Sequence, residues 1–78
     1  MKKVMINLSE SIQIKSFVNV ISKYSFDIDL HSDRYVVDAK SILGIFSLDL
    51  SKPIELVIMS DDTAEIEKFL EDIKPFLA

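Results

Sequence analysis

Apolar and polar positions alternate along four stretches of the chain, which is the pattern of β-strands that turn one face toward a core. The pattern predicts strands at residues 4–8, 26–31, 35–39 and 54–58. Ser32 and Asp33 separate the second strand from the third, so these two strands are expected to form a hairpin around a tight turn. The predicted inward-facing side chains are Val4, Ile6, Leu8, Phe26, Ile28, Leu30, Tyr35, Val37, Ala39, Ile54, Leu56 and Ile58.

Two further stretches repeat apolar residues at intervals of three and four, which indicates helices with one buried stripe. The first helix is predicted at residues 11–23, with the hydroxyls of Ser9 and Ser11 available as N-caps. The last helix begins after Asp62, which precedes Glu65 as in a capping box, and it ends near Pro75. The two buried stripes are Ile14, Phe17, Val18 and Ile21 in the first helix and Ile66, Phe69, Leu70, Ile73 and Leu77 in the last.

A short apolar run at residues 41–48 favours one more, short helix, and the polar residues and the proline within 49–53 favour a loop after it. The predicted order of elements is therefore β-α-β-β-α-β-α. Because each strand has one apolar and one mixed face, all helices are expected on one side of a four-stranded antiparallel sheet. The sequence thus predicts an α+β fold, an open-faced two-layer sandwich, in a single domain at residues 1–78.

Composition narrows the classes of function. The chain is 49% hydrophobic with one Gly and two Pro, as expected of a globular domain. It has no Cys, which excludes disulfides, thiolate zinc ligands and a thiol nucleophile and suits a cytoplasmic protein. The net charge is −4 and basic residues are scattered, so nucleic acid is not an expected partner. The apolar stretch after Lys3 is too short for a signal peptide or a membrane span.

Residues 38–50 read Asp-Ala-Lys-Ser-Ile-Leu-Gly-Ile-Phe-Ser-Leu-Asp-Leu. This segment resembles the one around the regulatory serine in HPr proteins of the bacterial sugar phosphotransferase system. The similarity continues without a gap back to Ser22-Lys23-Tyr24. The HPr-like family has the same order of elements, so the resemblance implies the same open-faced sandwich.

The resemblance also identifies a missing residue. HPr proteins carry a phosphate-accepting histidine in a Gly-[Leu/Ile]-His-x-Arg-Pro motif at the start of the first helix. Counting back from Ser41 places Glu10 at that histidine, and Ile12 and Gln13 at the Arg and the Pro. The only histidine of the chain, His31, is expected on the second strand or its turn, as a solvated residue without a role. We therefore expect no phosphocarrier activity.

Ser41 matches the serine that HPr kinase phosphorylates in many Gram-positive bacteria. Two interpretations stay open: Ser41 caps the short helix and does nothing else, or it caps the helix and is also phosphorylated. A phosphoserine there is favoured by the helix dipole and by the adjacent Lys40, and disfavoured by Asp38.

Ile42, Leu43 and Phe46 match the apolar patch that HPr proteins present to enzyme I, to the kinase and to a transcriptional regulator. One side of a short helix must be buried, so one or two of these three side chains are expected to remain exposed. An exposed Phe or Leu beside a modifiable serine is a suitable anchor for a protein partner.

The expected function is that of a regulatory or protein-binding module, not an enzyme, without cofactor or metal. The chain resembles the catabolite-repression HPr homologues, which lack the histidine and keep the serine, although those keep the Arg and the Pro. By resemblance, the partners are an HPr-kinase-like protein or a transcriptional regulator, and the protein is a monomer or a weak dimer. The alternatives are a competitor of true HPr and an interaction domain unconnected to sugar transport. Asp27, Asp29 and Glu55 are interpreted as a solvated sheet face rather than a cation site.

Overall fold

The order of elements is the predicted β-α-β-β-α-β-α. The computed structural model describes residues 1–78. Its elements are β1 (Lys2–Ile6), α1 (Ser11–Ile21), β2 (Asp27–Ser32), β3 (Tyr35–Asp38), α2 (Ile42–Phe46), β4 (Ile54–Met59) and α3 (Thr63–Asp72), followed by a 3₁₀ turn (Lys74–Phe76).

All four strands form one antiparallel sheet in the order β1-β4-β2-β3. One row across the sheet pairs Val4 with Leu56, Leu56 with Leu30, and Leu30 with Val37. Side chains alternate between the two faces of a strand, so this row and the residues two positions away share one face. That face packs against the helices, which confirms the predicted two-layer sandwich.

The core lies between this face and the helices. The predicted stripe of α1 is buried in full, as are Phe69 of α3 and the inward residues of β2 and β4. Phe17 and Phe76 meet edge to face, with ring centroids 5.4 Å apart. Such pairs add stability beyond their buried area.

No helix covers the opposite face of the sheet. Lys3, Val57, Asp29 and Asp38 lie side by side across it. Although Val57 was predicted on the mixed face, it is only 2% exposed because β4 is a central strand with neighbours on both sides. The third strand is different: Tyr35 was predicted to face inward, but it is exposed because β3 is an edge strand.

Both chain ends depart from the predicted boundaries. β1 ends at Ile6 rather than at residue 8, because Ile6 pairs with Ile54, where β4 begins; the next amide, that of Asn7, donates to the carbonyl of Phe76 at 2.8 Å. The helix α3 ends at Asp72, and the 3₁₀ turn changes the helical period. Phe76 therefore enters the core, and Leu77, predicted on the buried stripe, is exposed.

The predicted serine cap of α1 is wrong. Glu10 occupies the N-cap position and its side chain makes no capping hydrogen bond. Instead, the side-chain oxygen of Gln13 accepts hydrogen bonds from the amide and the hydroxyl of Ser9, at 3.0 and 3.2 Å. At its other end α1 stops at Ile21, two residues before the predicted end. None of the helices has the length and apolar character required to cross a membrane.

Candidate functional site

The candidate site is the start of α2, where the chain leaves the edge strand β3. Ser41 is the N-cap of α2, with φ −101° and ψ 109°, and its hydroxyl accepts the amide hydrogen of Gly44 at 3.1 Å. The predicted cap is thus confirmed. The first amides of a helix have no acceptor within the helix, and the Ser41 hydroxyl supplies one for Gly44.

The turn before Ser41 is fixed by Asp38. The Asp38 carboxylate accepts the amide hydrogen of Lys40 at 2.9 Å, and its backbone carbonyl accepts that of Ser41 at 3.0 Å. An aspartate that bonds to the backbone two residues ahead is a typical turn former. Asp38 therefore positions the serine as well as adding a negative charge near it.

The ammonium group of Lys40 serves another part of the molecule. It donates to the carbonyl of Tyr24 at 2.6 Å and to that of Phe26 at 3.0 Å. Both carbonyls belong to the loop between α1 and β2. The Lys40 side chain is therefore directed at this loop, while its expected support of a phosphate at Ser41 stays a prediction.

Gly44 allows α2 to lie close to β3. A Cβ atom at this position would be 3.2 Å from the Cβ of Val37 and 3.3 Å from the hydroxyl oxygen of Ser41. Both distances are shorter than ordinary contacts between such atoms. The absence of a side chain at Gly44 thus serves both the cap and the packing of the helix on the strand.

The three residues of the candidate partner surface all reach solvent. Ile42 is 38% exposed, Leu43 85% and Phe46 47%. The expectation that only one or two would be exposed is wrong, because Ile45 and Leu48 supply the buried side of this segment. We call Ile42, Leu43 and Phe46 the α2 surface.

Glu10 lies at the start of α1, which packs against α2. It is exposed, and its carboxylate takes part in no hydrogen bond or ion pair. Ile12, the second residue of α1, is also exposed. The Glu10 carboxylate and the Ile12 side chain are therefore both open to solvent at this end of α1.

His31 was expected on the second strand or its turn, and it lies on the strand, where its side chain is only partly exposed to solvent. It belongs to β2 and lies on the open face between Val36 of β3 and Glu55 of β4. Its Nδ1 is 3.9 Å from a carboxylate oxygen of Glu55, and its Nε2 is enclosed without a hydrogen-bond partner. The turn begins two residues later at Asp33, which has φ 53°.

A polar cluster that the sequence did not reveal joins the end of α1 to α3. The buried Tyr24 donates its hydroxyl hydrogen to Asp72 at 2.5 Å, and Lys23 lies 3.0 Å from the same carboxylate. Burial, reinforced by the bond to Asp72, raises the pKa of Tyr24 to about 12. The hydrogen bonds from Tyr24 and Lys23 lower the pKa of Asp72.

The acidic residues of the open face do not assemble into a site. No group of three or more His, Asp or Glu side chains has the arrangement of a metal site. Sequence reasoning considered Lys40 only as a neighbour of a phosphoserine and missed its bonds to the α1–β2 loop, and it missed the close packing at Gly44. The only signal for Gly44 was its being the single glycine of the chain, and none existed for Lys40.

The chain was compared with protein families and solved structures. A family model described as "PTS HPr component phosphorylation site" matches residues 11–78. HPr-C-His from Thermoanaerobacter tengcongensis is 35% identical, with a TM-score of 0.74 over 94% of this chain and 90% of that one. Phosphocarrier protein HPr from Bacillus anthracis str. Ames is 27% identical, with a TM-score of 0.65 over 99% of this chain and 94% of that one. The comparison with curated proteins gave no match.

These similarities cover the fold and the candidate site together. The family match includes Ser41 and all of α2, and it begins at the residue after Glu10. The four-stranded antiparallel sheet with its helices on one side is the fold of both solved structures. The chain therefore belongs to the HPr family.

Proposed function

We propose that residues 1–78 act as an HPr-like regulatory domain that carries no phosphohistidine. The domain binds a protein partner through the α2 surface, and Ser41 at the start of that helix is phosphorylated by an HPr-kinase-like enzyme. It is not itself an enzyme. It needs neither a cofactor nor a metal for this role.

One observation carries the proposal: all three apolar side chains of the α2 surface are exposed on the helix that Ser41 caps. Leu43, at 85% exposure, contributes almost nothing to the core. Exposed large apolar side chains grouped on one element are typical of protein-binding surfaces. A kinase that docks there meets Ser41 at the edge of the same surface.

The chemistry of the residues present supports the proposed loss of the carrier step. Phosphoryl transfer through histidine needs an imidazole nitrogen as nucleophile. Glu10 stands where the family resemblance places that histidine, and it presents a carboxylate. His31, the only imidazole, lies on β2 with Nε2 enclosed and Nδ1 facing Glu55.

The proposal is tested by two phosphorylation assays on the intact protein. With HPr kinase and ATP, we expect the mass to increase by one phosphoryl group and the phosphate to map to Ser41. The Ser41→Ala variant should gain nothing, and Ser47→Ala, which changes the exposed serine at the other end of α2, should behave as the parent. With enzyme I and phosphoenolpyruvate we expect no transfer. Acid-labile phosphate on the protein would refute the loss of the carrier step.

A second candidate is an interaction domain that needs no phosphorylation and has no part in sugar transport. It is favoured by the engagement of the Ser41 hydroxyl with Gly44 and by the commitment of Lys40 to the α1–β2 loop. An unchanged mass after incubation with the kinase, together with partner binding that Leu43→Ser abolishes, would support this candidate over the first.

A further inference from the structure

The outer edge of β3 carries backbone groups without partners. The amide of Ala39 donates to the carbonyl of Ile28, which identifies the hydrogen-bonded positions of the β2–β3 ladder. Such positions alternate in an antiparallel pair. The groups of Tyr35 and Val37 therefore point toward β2, and the amide and carbonyl of Val36 point away from the sheet, as does the amide of Asp38. No loop or side chain bonds to Val36.

The sequence of this edge is complementary to itself. It reads Arg34-Tyr35-Val36-Val37-Asp38. When two such strands pair antiparallel about Val36, the outward amide of each Val36 donates to the outward carbonyl of the other Val36. Arg34 then faces Asp38 of the second copy, twice by symmetry. Opposite charges at facing positions stabilise an antiparallel pair, and like charges destabilise it.

Neither charge is neutralised within the chain. Arg34 is exposed and forms no salt bridge. Asp38 is also without a salt bridge, and it lies directly opposite Asp29 of β2. Two carboxylates at facing positions repel each other, so an arginine brought beside Asp38 relieves an unfavourable contact. The exposed Tyr35 and Val36 add apolar area to the same edge.

We infer that the β3 edge binds the β3 edge of a second copy of this chain. The two sheets join into one of eight strands around a two-fold axis at Val36, with the helices of both copies on the same side. Because β3 has only four residues, with Arg34 in the turn just before it, the interface is small and the dimer is in exchange with the monomer. This dimerisation does not depend on Ser41 or on the proposed regulatory function.

Sedimentation velocity of the full chain over a range of concentrations tests the inference. We expect a reversible monomer–dimer equilibrium with a dissociation constant between about 10 μM and 1 mM, as is typical of weak, small interfaces. The amide signals of Val36 and Asp38 should shift with concentration in NMR spectra. A single monomeric species up to about 1 mM would overturn the inference. Shifts confined to β1, the other edge, would also overturn it.

Two variants and one control variant distinguish this dimer from other contacts between copies. Arg34→Glu places like charges at both symmetric positions and should weaken the dimer about tenfold or more. Lys3→Glu makes the same change of charge on β1 and should leave the dimer unchanged. Val36→Pro removes the outward amide without disturbing a bond to β2, so it should abolish the dimer while far-ultraviolet circular dichroism remains that of the parent. Equal dimerisation of Arg34→Glu and Lys3→Glu would contradict the proposed pairing.

Discussion

The hydroxyl oxygen of Ser41 lies 3.1 Å from the amide nitrogen of Gly44 and accepts its hydrogen. The same oxygen is the atom that a kinase would phosphorylate. A phosphate there replaces the acceptor of this cap with a larger and more strongly charged one. Capping and modification therefore act on one atom, and the stability of α2 reports on both.

Replacing Ser41 tests the cap. Ser41→Ala should lower the free energy of unfolding by about 0.5–2 kcal/mol, and Ser41→Asp should remain close to the parent because aspartate is also a good N-cap. Urea denaturation measures both. The control is Ser11→Ala, because the hydroxyl of Ser11 in α1 makes no hydrogen bond. Equal midpoints for the parent and Ser41→Ala would mean that the cap contributes nothing.

Phe46 and its neighbour Ile45 should respond differently to truncation. Ile45 is fully buried, so Ile45→Ala should cost about 2–5 kcal/mol. Phe46 is half exposed, and Phe46→Ala should cost less than the roughly 3–5 kcal/mol of a buried phenylalanine while the fold is retained. Thermal melts of the two variants decide this. If Phe46→Ala is the more damaging of the two, Phe46 belongs to the core and the α2 surface loses its anchor.

Lys40 should be important for stability although it is charged. Lys40→Met keeps the length of the side chain but leaves the carbonyls of Tyr24 and Phe26 without their donor. The expected loss is about 1.5–3 kcal/mol, the range for hydrogen bonds that involve a charged group. Lys15→Met, on the exposed side of α1, is the matched control and should change the unfolding midpoint little. Identical effects of the two variants would show that the Lys40 bonds are not formed in solution.

Tyr24 predicts how stability changes at high pH. Its pKa is raised to about 12 from an ordinary value of 10, so the folded state keeps the phenol proton longer than the unfolded state does. The contribution of the protonated Tyr24 to the free energy of unfolding is therefore complete below pH 10 and is lost as the pH rises toward 12. The free energy of unfolding of the parent should therefore fall more steeply over this interval than that of Tyr24→Phe. Parallel curves would contradict the assignment.

Asp72, the partner of Tyr24, acts at the other end of the pH scale. The bonds from Tyr24 and Lys23 lower the pKa of Asp72 in the folded state. The ionised Asp72 therefore contributes to the free energy of unfolding above pH 3.8, the ordinary pKa, and this contribution is lost as the pH falls below 3.8. Asp72→Asn should therefore unfold with less dependence on pH in this acidic range. Asp61, whose pKa is lowered by the terminal amine, provides the comparison through Asp61→Asn.

The parts of the fold that depend on local periodicity were predictable from the sequence. The alternation at Ile28 and Leu30 and the spacing of Ile14, Phe17 and Ile21 each follow from which face of a single element is buried. The position of Tyr35 was not predictable, since its exposure depends on β3 being at the edge of the sheet. Phe76 was missed because a 3₁₀ turn changes the period after α3.

The candidate site shows the same division. Ser41 was recognised as a cap because a serine before a short apolar run has a local consequence. The sequence could not predict that Ile45 is the buried side of α2 and that the α2 surface is exposed, because a helix of five residues is too short for its periodicity to define a face. The Lys40 bonds reach carbonyls 14 and 16 residues earlier, and no local pattern signals such a contact.

The bonds from Lys40 make the turn before Ser41 and the loop after α1 a single unit in the opening motions of the folded protein. Neither segment can move away from the core without breaking the charged hydrogen bonds that join it to the other. Amide hydrogens protected by either segment should then exchange through one shared fluctuation rather than through two independent ones. An enzyme that must loosen the Ser41 turn to reach its hydroxyl consequently acts on the packing around Tyr24 as well.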